Sequence, residues 1–171
     1  MWRNVGRSGA PAKTGALLIL GAIEHMFLGQ YEHTIDEKGR LTIPSKYREE
    51  LDSVVYVTLG FDGNLQVFPP DLFEIMSKQV SSLSFADANS RRLRRIIYAN
   101  AEMINFDSAG RILLPAFLRS ATNLKETATV VGGGDYFEIW PPEIWQAQQV
   151  SLKDIEANEQ RFSALDIKTL Q

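Results

Sequence analysis

The sequence predicts an α+β fold that is mainly β. Two tandem β-α-β modules form one barrel-like core around a pseudo-two-fold axis, with connecting and C-terminal helices. The first supporting observation is a repeat, because IDEKGRLTIPSKYR at residues 35–48 returns as FDSAGRILLPAFLR at residues 106–119. The second is that LQVFPP at 65–70 returns as FEIWPP at 137–142, with the uncommon Pro-Pro pair in both. Two copies are too few for a solenoid, so a pair of modules with a shared core is predicted.

The two copies share one predicted order of elements: strand, turn, strand, helical turn, strand, turn, strand. Alternation of apolar and polar residues between turn residues indicates the strands. They are expected at 30–36, 41–43, 54–59 and 65–68 in the first copy, and at 101–107, 112–114, 128–131 and 137–140 in the second.

A turn with Asp at its first position and Gly at its fourth follows the first strand of each copy. Asp36 and Gly39 form this pair in the first copy, and Asp107 and Gly110 form it in the second. The Asp side chain can accept backbone N–H bonds, and the Gly can adopt the left-handed conformation that closes a hairpin. We therefore expect these four residues to build two equivalent turns.

Helices are predicted beside and between the copies. Pro44 and Pro115 suit the beginning of a helical turn, because proline has a fixed φ and lacks the N–H that is unpaired there. Asp87 is the expected N-cap of a helix over 88–100. Helical spacing of apolar residues also predicts a helix over 69–83. A further single helix is predicted over 141–162, with the anchors Ile144, Trp145 and Leu152.

Composition excludes several kinds of site. The 171 residues are 44% hydrophobic and 23% charged, which is typical of a globular protein of about one domain. The absence of cysteine excludes disulfides, thiolate ligands and a thiol nucleophile, and two histidines are too few for a His-rich metal site. We expect no metal, no cofactor and no catalytic residues. Because the formal net charge is −3, nucleic-acid binding would have to come from local basic patches.

The first 25 residues differ from the rest of the chain. They are rich in Gly and Ala, and the apolar run ALLILGAI at 16–23 resembles the h-region of a signal peptide. No Ala-x-Ala cleavage site follows, and the run is too short to span a bilayer. We interpret residues 1–25 as a disordered extension or as the product of a start codon placed too early, with Met26 as an alternative start. Secretion is the less favoured alternative, and no membrane partner is expected.

Taken together, these features resemble the MraZ family of bacterial transcriptional regulators. The resemblance rests on Met26-Phe27-x-Gly29, on DEKGRLTIPSKYREEL and on DSAGRILLPAFLR, and it covers about residues 26–160. The paired Asp-x-x-x-Arg is far more specific than either copy alone. The family is related to SpoVT-AbrB DNA-binding domains, which use swapped hairpins.

The resemblance implies two such domains that form an intramolecular pseudo-dimer. It also implies a ring-shaped homo-oligomer that binds repeated double-stranded DNA sites upstream of the division and cell-wall gene cluster, in the cytoplasm and on the nucleoid. The expected boundaries are an extension at 1–25, domain 1 at 30–72, a helical connector at 73–100, domain 2 at 101–144, and a C-terminal helix and tail at 145–171.

The candidate DNA-binding residues are basic side chains in and after the two turns. Arginine is well suited to bidentate contact with guanine, and a β-ribbon fits the major groove, so Arg40 and Arg111 are the expected base-reading residues. Lys38, Lys46, Arg48 and Arg119 are the expected phosphate contacts. The second turn has Ser108-Ala109 where the first has Glu37-Lys38, so the first copy is expected to bind DNA more strongly.

The residues alone leave a structural role open for the same Asp and Arg pairs. Asp and Arg four positions apart across a turn can pair and staple the hairpin, although an exposed pair adds little to stability. Both roles are compatible if Asp orients the Arg. The alternative function is a ring-forming scaffold that binds protein partners. The basic run RRLRR at 91–95 is more typical of a subunit contact, or of pairing with acidic groups, than of a DNA site.

Overall fold

A computed structural model describes residues 25–163 and residue 165, so the expectations for residues 1–24 lie outside the described residues. Eight strands and six helices occur in this part of the chain. The strands are β1 (Gln30–Thr34), β2 (Arg40–Thr42), β3 (Val54–Leu59), β4 (Leu65–Phe68), β5 (Glu102–Asn105), β6 (Arg111–Leu113), β7 (Thr127–Gly132) and β8 (Phe137–Trp140). The helices are α1 (Ser45–Arg48), α2 (Pro70–Ser82), α3 (Ala88–Tyr98), α4 (Ala116–Thr122), α5 (Pro142–Leu152) and α6 (Ile155–Phe162).

The two copies exchange strands. A six-stranded antiparallel sheet has the order β1-β7-β8-β4-β3-β5, and a separate two-stranded ribbon joins β2 to β6. The first strand of each copy therefore pairs with the third strand of the other copy, and β4 pairs with β8 at the centre of the sheet. The pseudo-two-fold axis passes between β4 and β8 and between β2 and β6. The predicted mainly β fold with two interlocked modules is confirmed.

One apolar core lies between the ribbon and the six-stranded sheet. Each ribbon strand turns its alternate residues inward, as the period of two in a strand requires. Fully buried side chains come from both copies and include Leu41, Ile43, Val55, Val57, Leu65, Ile112, Leu114, Leu118, Phe137 and Ile139. A module of about 44 residues is too small to bury such a core alone, so each copy depends on the other.

Pro44 and Pro115 lie at the beginning of helical turns, as predicted. Pro44 and Pro115 are the N-cap residues of α1 and α4, with φ of −50° and −54° and extended ψ, rather than the first helical residues. The helices α2 and α5 begin with the second proline of each Pro-Pro pair, Pro70 and Pro142. The N-cap role of Asp87 is confirmed, because its carboxylate accepts a 2.6 Å hydrogen bond from Ser90 N.

The prediction of a single C-terminal helix over 141–162 is wrong, since the structure has two helices there. The helix α5 ends at Leu152, and Asp154 caps α6 by accepting a hydrogen bond from Ala157 N. The predicted anchor Leu152 is 54% exposed because it lies at the corner between the helices, whereas Ile144 and Trp145 are half-buried as expected. Within residues 25–163, no helix combines the length and the apolar character needed to cross a membrane.

Candidate nucleic-acid interface

The two predicted turns have the same hydrogen-bonding pattern. Asp36 Oδ1 accepts from Lys38 N at 3.0 Å and from Arg40 N at 2.9 Å. Asp107 Oδ1 accepts from Ala109 N at 2.9 Å and from Arg111 N at 3.0 Å. One carboxylate oxygen in each copy thus fixes the backbone of the turn, and the other oxygen is available to the arginine.

Each arginine is held by the aspartate of its own turn. Arg40 Nε donates to Asp36 Oδ2 at 2.6 Å, and Arg111 Nε donates to Asp107 Oδ2 at 2.8 Å. The backbone hydrogen bond from Arg40 holds the pKa of Asp36 below its usual range, and the side-chain bond from Arg111 does the same for the pKa of Asp107. Both carboxylates are therefore ionised at neutral pH, and each fixes the direction of a guanidinium group.

The outer face of the β2–β6 ribbon presents both guanidinium groups. In the ribbon Arg40 lies opposite Leu113, and Thr42 lies opposite Arg111, so these four side chains share one face. The Arg40 and Arg111 side chains are 32% and 30% exposed, and Leu113 is 54% exposed. The inward face holds buried Leu41, Ile43, Ile112 and Leu114.

Sequence reasoning overlooked Leu113 and Thr42 as site residues. The alternation of β6 could have indicated Leu113, because its neighbours on either side point inward.

Arg48 and Arg119 donate hydrogen bonds to backbone carbonyls directly after strands β2 and β6. Arg48 Nε donates to Ile43 O at 3.1 Å, and Arg119 Nε donates to Leu114 O at 3.2 Å. This structural role was not predicted, and it positions both guanidinium groups beside the ribbon. It does not prevent contact with phosphate, because Nε uses only one of the five donor N–H groups of an arginine.

The same two arginines pack against the turn of the opposite copy. A Cβ added to Gly39 would lie 2.9 Å from the guanidinium of Arg119, and one added to Gly110 would lie even closer to that of Arg48. Both glycines also have a positive φ, of 84° and 72°. Glycine is thus required at both turns by the backbone conformation, and a larger residue would also displace the guanidinium group of the opposite copy.

Comparison with known proteins identifies the family. The model of the family described as "MraZ protein, putative antitoxin-like" matches residues 26–96 and again residues 97–166. The chain belongs to the MraZ family. It is 46% identical over 123 residues to the transcriptional regulator MraZ of Thermomicrobium roseum, covering 72% of this chain and 87% of that protein. The MraZ proteins of Roseiflexus castenholzii and Pediococcus pentosaceus are 42% and 38% identical, covering 81% and 80% of this chain and 94% and 92% of those proteins.

The two matches of the MraZ model divide the chain between its two copies, so the family unit corresponds to one copy. These relatives share the name transcriptional regulator MraZ, and this chain is accordingly a transcriptional regulator of the MraZ family. The resemblance drawn from the paired Asp-x-x-x-Arg is confirmed at the level of the family.

The two candidate lysines of this MraZ chain lie in different surroundings. Lys38 is exposed at the tip of the first turn, next to the Asp36 carboxylate that accepts its backbone N–H. Lys46 lies on α1 and lines a shallow depression with Leu28, Tyr47 and Glu50, none of which belongs to the ribbon. The structure therefore brings Lys38, but not Lys46, together with the ribbon arginines.

Two arginines of the basic run on α3 donate hydrogen bonds to backbone carbonyls. Arg91 Nη1 donates to Phe85 O at 2.9 Å and to Ala86 O at 2.7 Å. Arg94 Nη2 donates to Ser81 O at 2.7 Å, which satisfies a carbonyl at the end of α2. The expected pairing with acidic side chains is not found for this run within residues 25–163. Arg92 and Arg95 are exposed to solvent.

Proposed function

We propose that this regulator binds double-stranded DNA in a sequence-specific manner through the outer face of the β2–β6 ribbon. The observation that supports this proposal is the pair of arginines on that face, each oriented by its own aspartate and each about one third exposed. A two-stranded ribbon has the width to enter the major groove, where arginine reads guanine O6 and N7. Asp36 and Asp107 therefore position the base-reading Arg40 and Arg111.

Leu113 and Thr42 lie beside these arginines and present methyl groups to the same groove. Apolar contact with the 5-methyl group of thymine is a common form of readout in the major groove. Arg40 and Leu113 are opposite each other, as are Arg111 and Thr42, so each arginine reads its base next to one methyl-bearing side chain.

Phosphate contacts position the ribbon on the DNA. Lys38 extends from the tip of the first turn, and Arg48 and Arg119 flank the ribbon, so these three are the nearest candidates. Lys46 is a more distant candidate on α1. With a net charge of −3, one chain has only a local patch with which to attract DNA.

Assembly into a ring would let several such patches act together on repeated sites. Linked sites raise avidity by about 10²–10⁴ without new contacts. We propose repeated operators upstream of the division and cell-wall gene cluster as the target, and the cytoplasm and nucleoid as the location. In this proposal residues 30–72 and 101–144 are the two SpoVT-AbrB-like domains, joined by the connector 73–100 and followed by the tail 145–171.

The test is binding of the full chain to its own upstream DNA, measured by fluorescence anisotropy. Each base pair read by an arginine is worth about 1–3 kcal/mol, so the double variant Arg40→Ala/Arg111→Ala should bind at least roughly thirtyfold more weakly. The matched control is Arg40→Lys/Arg111→Lys, which keeps both charges but loses the bidentate geometry. It should keep salt-dependent non-specific binding and lose preference for the operator.

Undiminished binding by the alanine double variant would contradict the site. No binding of wild type to any upstream DNA would contradict the function and favour the scaffold alternative, which the observed Asp–Arg pairing within each turn also permits. Salt separates the two functions, because contacts to phosphate weaken steeply with salt and an apolar protein interface does not.

A further inference from the structure

The carboxylate of Asp36 lies near two arginines, whereas that of Asp107 lies near one. Arg40 Nε donates to Asp36 Oδ2 at 2.6 Å, and Arg111 Nη1 lies 3.8 Å from the same oxygen. Asp107 Oδ2 accepts from Arg111 Nε at 2.8 Å and lies 2.8 Å from Arg111 Nη2. Within residues 25–163, Asp107 and Arg40 form no ion pair. The first turn therefore reaches the arginine of the second copy, and the second turn does not reach the arginine of the first.

The pairing of β2 with β6 explains how one carboxylate can lie near both arginines. Arg40 is opposite Leu113, and Arg111 is two residues before Leu113, so the two arginines are diagonal neighbours across the ribbon. Diagonal neighbours in an antiparallel pair are about 7–8 Å apart, which long side chains on one face can span. The register of the ribbon is the same from either end. The difference between the two aspartates therefore lies in the side chains and not in the backbone.

Asp36 holds Arg111 more weakly than it holds Arg40. At 3.8 Å the contact is an ion pair without a hydrogen bond, and the two side chains are 30% and 34% exposed. A pair exposed to this degree changes an equilibrium constant by at most about fivefold. Such an effect is small for the stability of the protein. It is measurable in a base preference, because a preference is a ratio of two affinities for the same protein.

Other charged groups lie near Asp36 without pairing with it. Four charged side chains line a depression with Asp36 beside the first turn: Glu37, Arg119, Lys125 and Glu126. In the part of the chain that the structure describes, none of these forms an ion pair with Asp36, and Arg119 Nε donates to Leu114 O instead. Lys38 contributes its backbone N–H to Asp36 Oδ1. The side chains that pair with this carboxylate are thus the two ribbon arginines.

We propose that Asp36 is a positioning residue shared by both base-reading arginines, so that reading by the second copy depends on the turn of the first. The inference rests on the proposed function, because it requires Arg40 and Arg111 to read bases. A carboxylate that restricts a guanidinium group reduces the conformational entropy lost when that group binds a base. Asp36 restricts Arg40 through a hydrogen bond and Arg111 through its charge, whereas Asp107 restricts Arg111 alone.

Base preference at each position of the upstream DNA tests the shared role. The full chain is titrated by fluorescence anisotropy with DNA in which single base pairs are changed, and Arg40→Ala and Arg111→Ala identify the base pair that each arginine reads. Asp36→Asn keeps an acceptor for the backbone N–H groups of the turn and removes the charge. It should relax the preference roughly fivefold at the base pair of Arg40 and roughly twofold at that of Arg111. Binding of non-specific DNA shows that the variant is folded.

Two variants with the same change in charge serve as contrast and control. Asp107→Asn should relax the preference at the base pair of Arg111 and leave that of Arg40 unchanged. Glu37→Gln removes a carboxylate from the exposed tip of the first turn, which pairs with neither arginine within the described residues. It should bind all DNA slightly more tightly and keep the wild-type preference. A purely structural role of Asp36 would lower affinity for every sequence alike and would leave the preference unchanged.

The outcomes separate this inference from the proposed function. An Arg111 base pair that Asp36→Asn leaves unchanged would overturn the shared role and leave the DNA-binding site intact. Equal effects of Asp36→Asn and Asp107→Asn at the base pair of Arg40 would do the same. If neither Arg40→Ala nor Arg111→Ala alters any base preference, the reading site is wrong, and the shared role is overturned with it.

Discussion

The two turns of the ribbon share one backbone and differ in their surroundings. The first turn displays Glu37 and Lys38, and its Gly39 carbonyl accepts from Leu114 N, which places exposed Leu113 beside it. The second turn displays Ser108 and Ala109. Its Gly110 carbonyl accepts from Ile43 N, so its neighbour is Thr42 instead.

This comparison shows which residues of a duplicated site are constrained by geometry. Five residues of each copy are the same because each determines the conformation of a turn or the position of a guanidinium group. They are the Asp and Gly of the turn, the ribbon arginine, the N-cap proline, and the arginine that packs against the turn of the other copy. The copies differ at the tips of the turns and at the outward positions opposite the arginines, since the conformation of the turns does not depend on these residues. The backbone of the two turns is thus symmetric, whereas the surface that would face DNA is not.

Replacing the turn glycines should break the shared frame and has the largest expected effect. Gly39→Val and Gly110→Val each force a branched residue into positive φ and against an arginine of the other copy. The free energy of unfolding should fall by about 1–3 kcal/mol from the backbone strain, because the guanidinium group at the end of a flexible side chain can move away from the added atoms. Urea denaturation gives the value. Equal stability of wild type and Gly39→Val would contradict the requirement for glycine at this backbone conformation.

Removing Leu113 should sharpen the difference between the two ends of the ribbon. Leu113→Ala removes the apolar contact beside Arg40, and affinity for operator DNA should fall about fourfold if one methyl-sized group of Leu113 is buried against the base, since a buried methylene group is worth about 0.8 kcal/mol. Upstream DNA made with uracil in place of thymine lacks the 5-methyl groups and should weaken wild type similarly. The Leu113→Ala variant should respond less to uracil than wild type does. Thr42→Ala is the matched change at the other end, and an unchanged uracil effect in Leu113→Ala would argue against contact with thymine methyls.

Exchanging the tips of the turns should change the dependence of binding on salt. Lys38→Ala should make the slope of log K against log salt shallower by about 0.9, and Ala109→Lys should make it steeper by the same amount if each lysine contacts one phosphate. Between 50 and 200 mM salt, this amounts to a change of roughly threefold in affinity. Anisotropy titrations at several salt concentrations give the slopes. Identical slopes for both variants and wild type would exclude Lys38 as a phosphate contact.

The smallest expected effect is a loss of stability at low pH, when the aspartates of the two turns become protonated. Because hydrogen bonds lower the folded-state pKa of Asp36 and Asp107, the stability that these groups contribute is present above the unfolded value of 3.8 and is lost as pH falls through the lower folded value. Asp36→Asn/Asp107→Asn should therefore show a weaker loss of stability below pH 3.8 than wild type, measured by thermal unfolding. A steeper loss in the variant would contradict the direction of both shifts.

Much of the fold could be predicted from the sequence because the relevant signals are local. The strand 65–68 and the strand 54–59 were predicted with the bounds that the structure shows, and Asp87 was predicted as an N-cap. The break between α5 and α6 was missed even though Asp154 is a good N-cap residue, because the helical pattern of apolar residues continues on either side of it.

The sequence by itself determined that two equivalent turns exist and that each has an arginine behind it, because Asp, Gly and Pro act on the backbone of their own few residues. Only the tertiary structure decided that β1 pairs with β7, that Leu113 lies opposite Arg40, and that Arg119 packs against the opposite turn. These facts depend on which surfaces of the two copies meet in space. The exchange of strands between the copies determines these contacts, and the spacing of residues within one copy does not specify them.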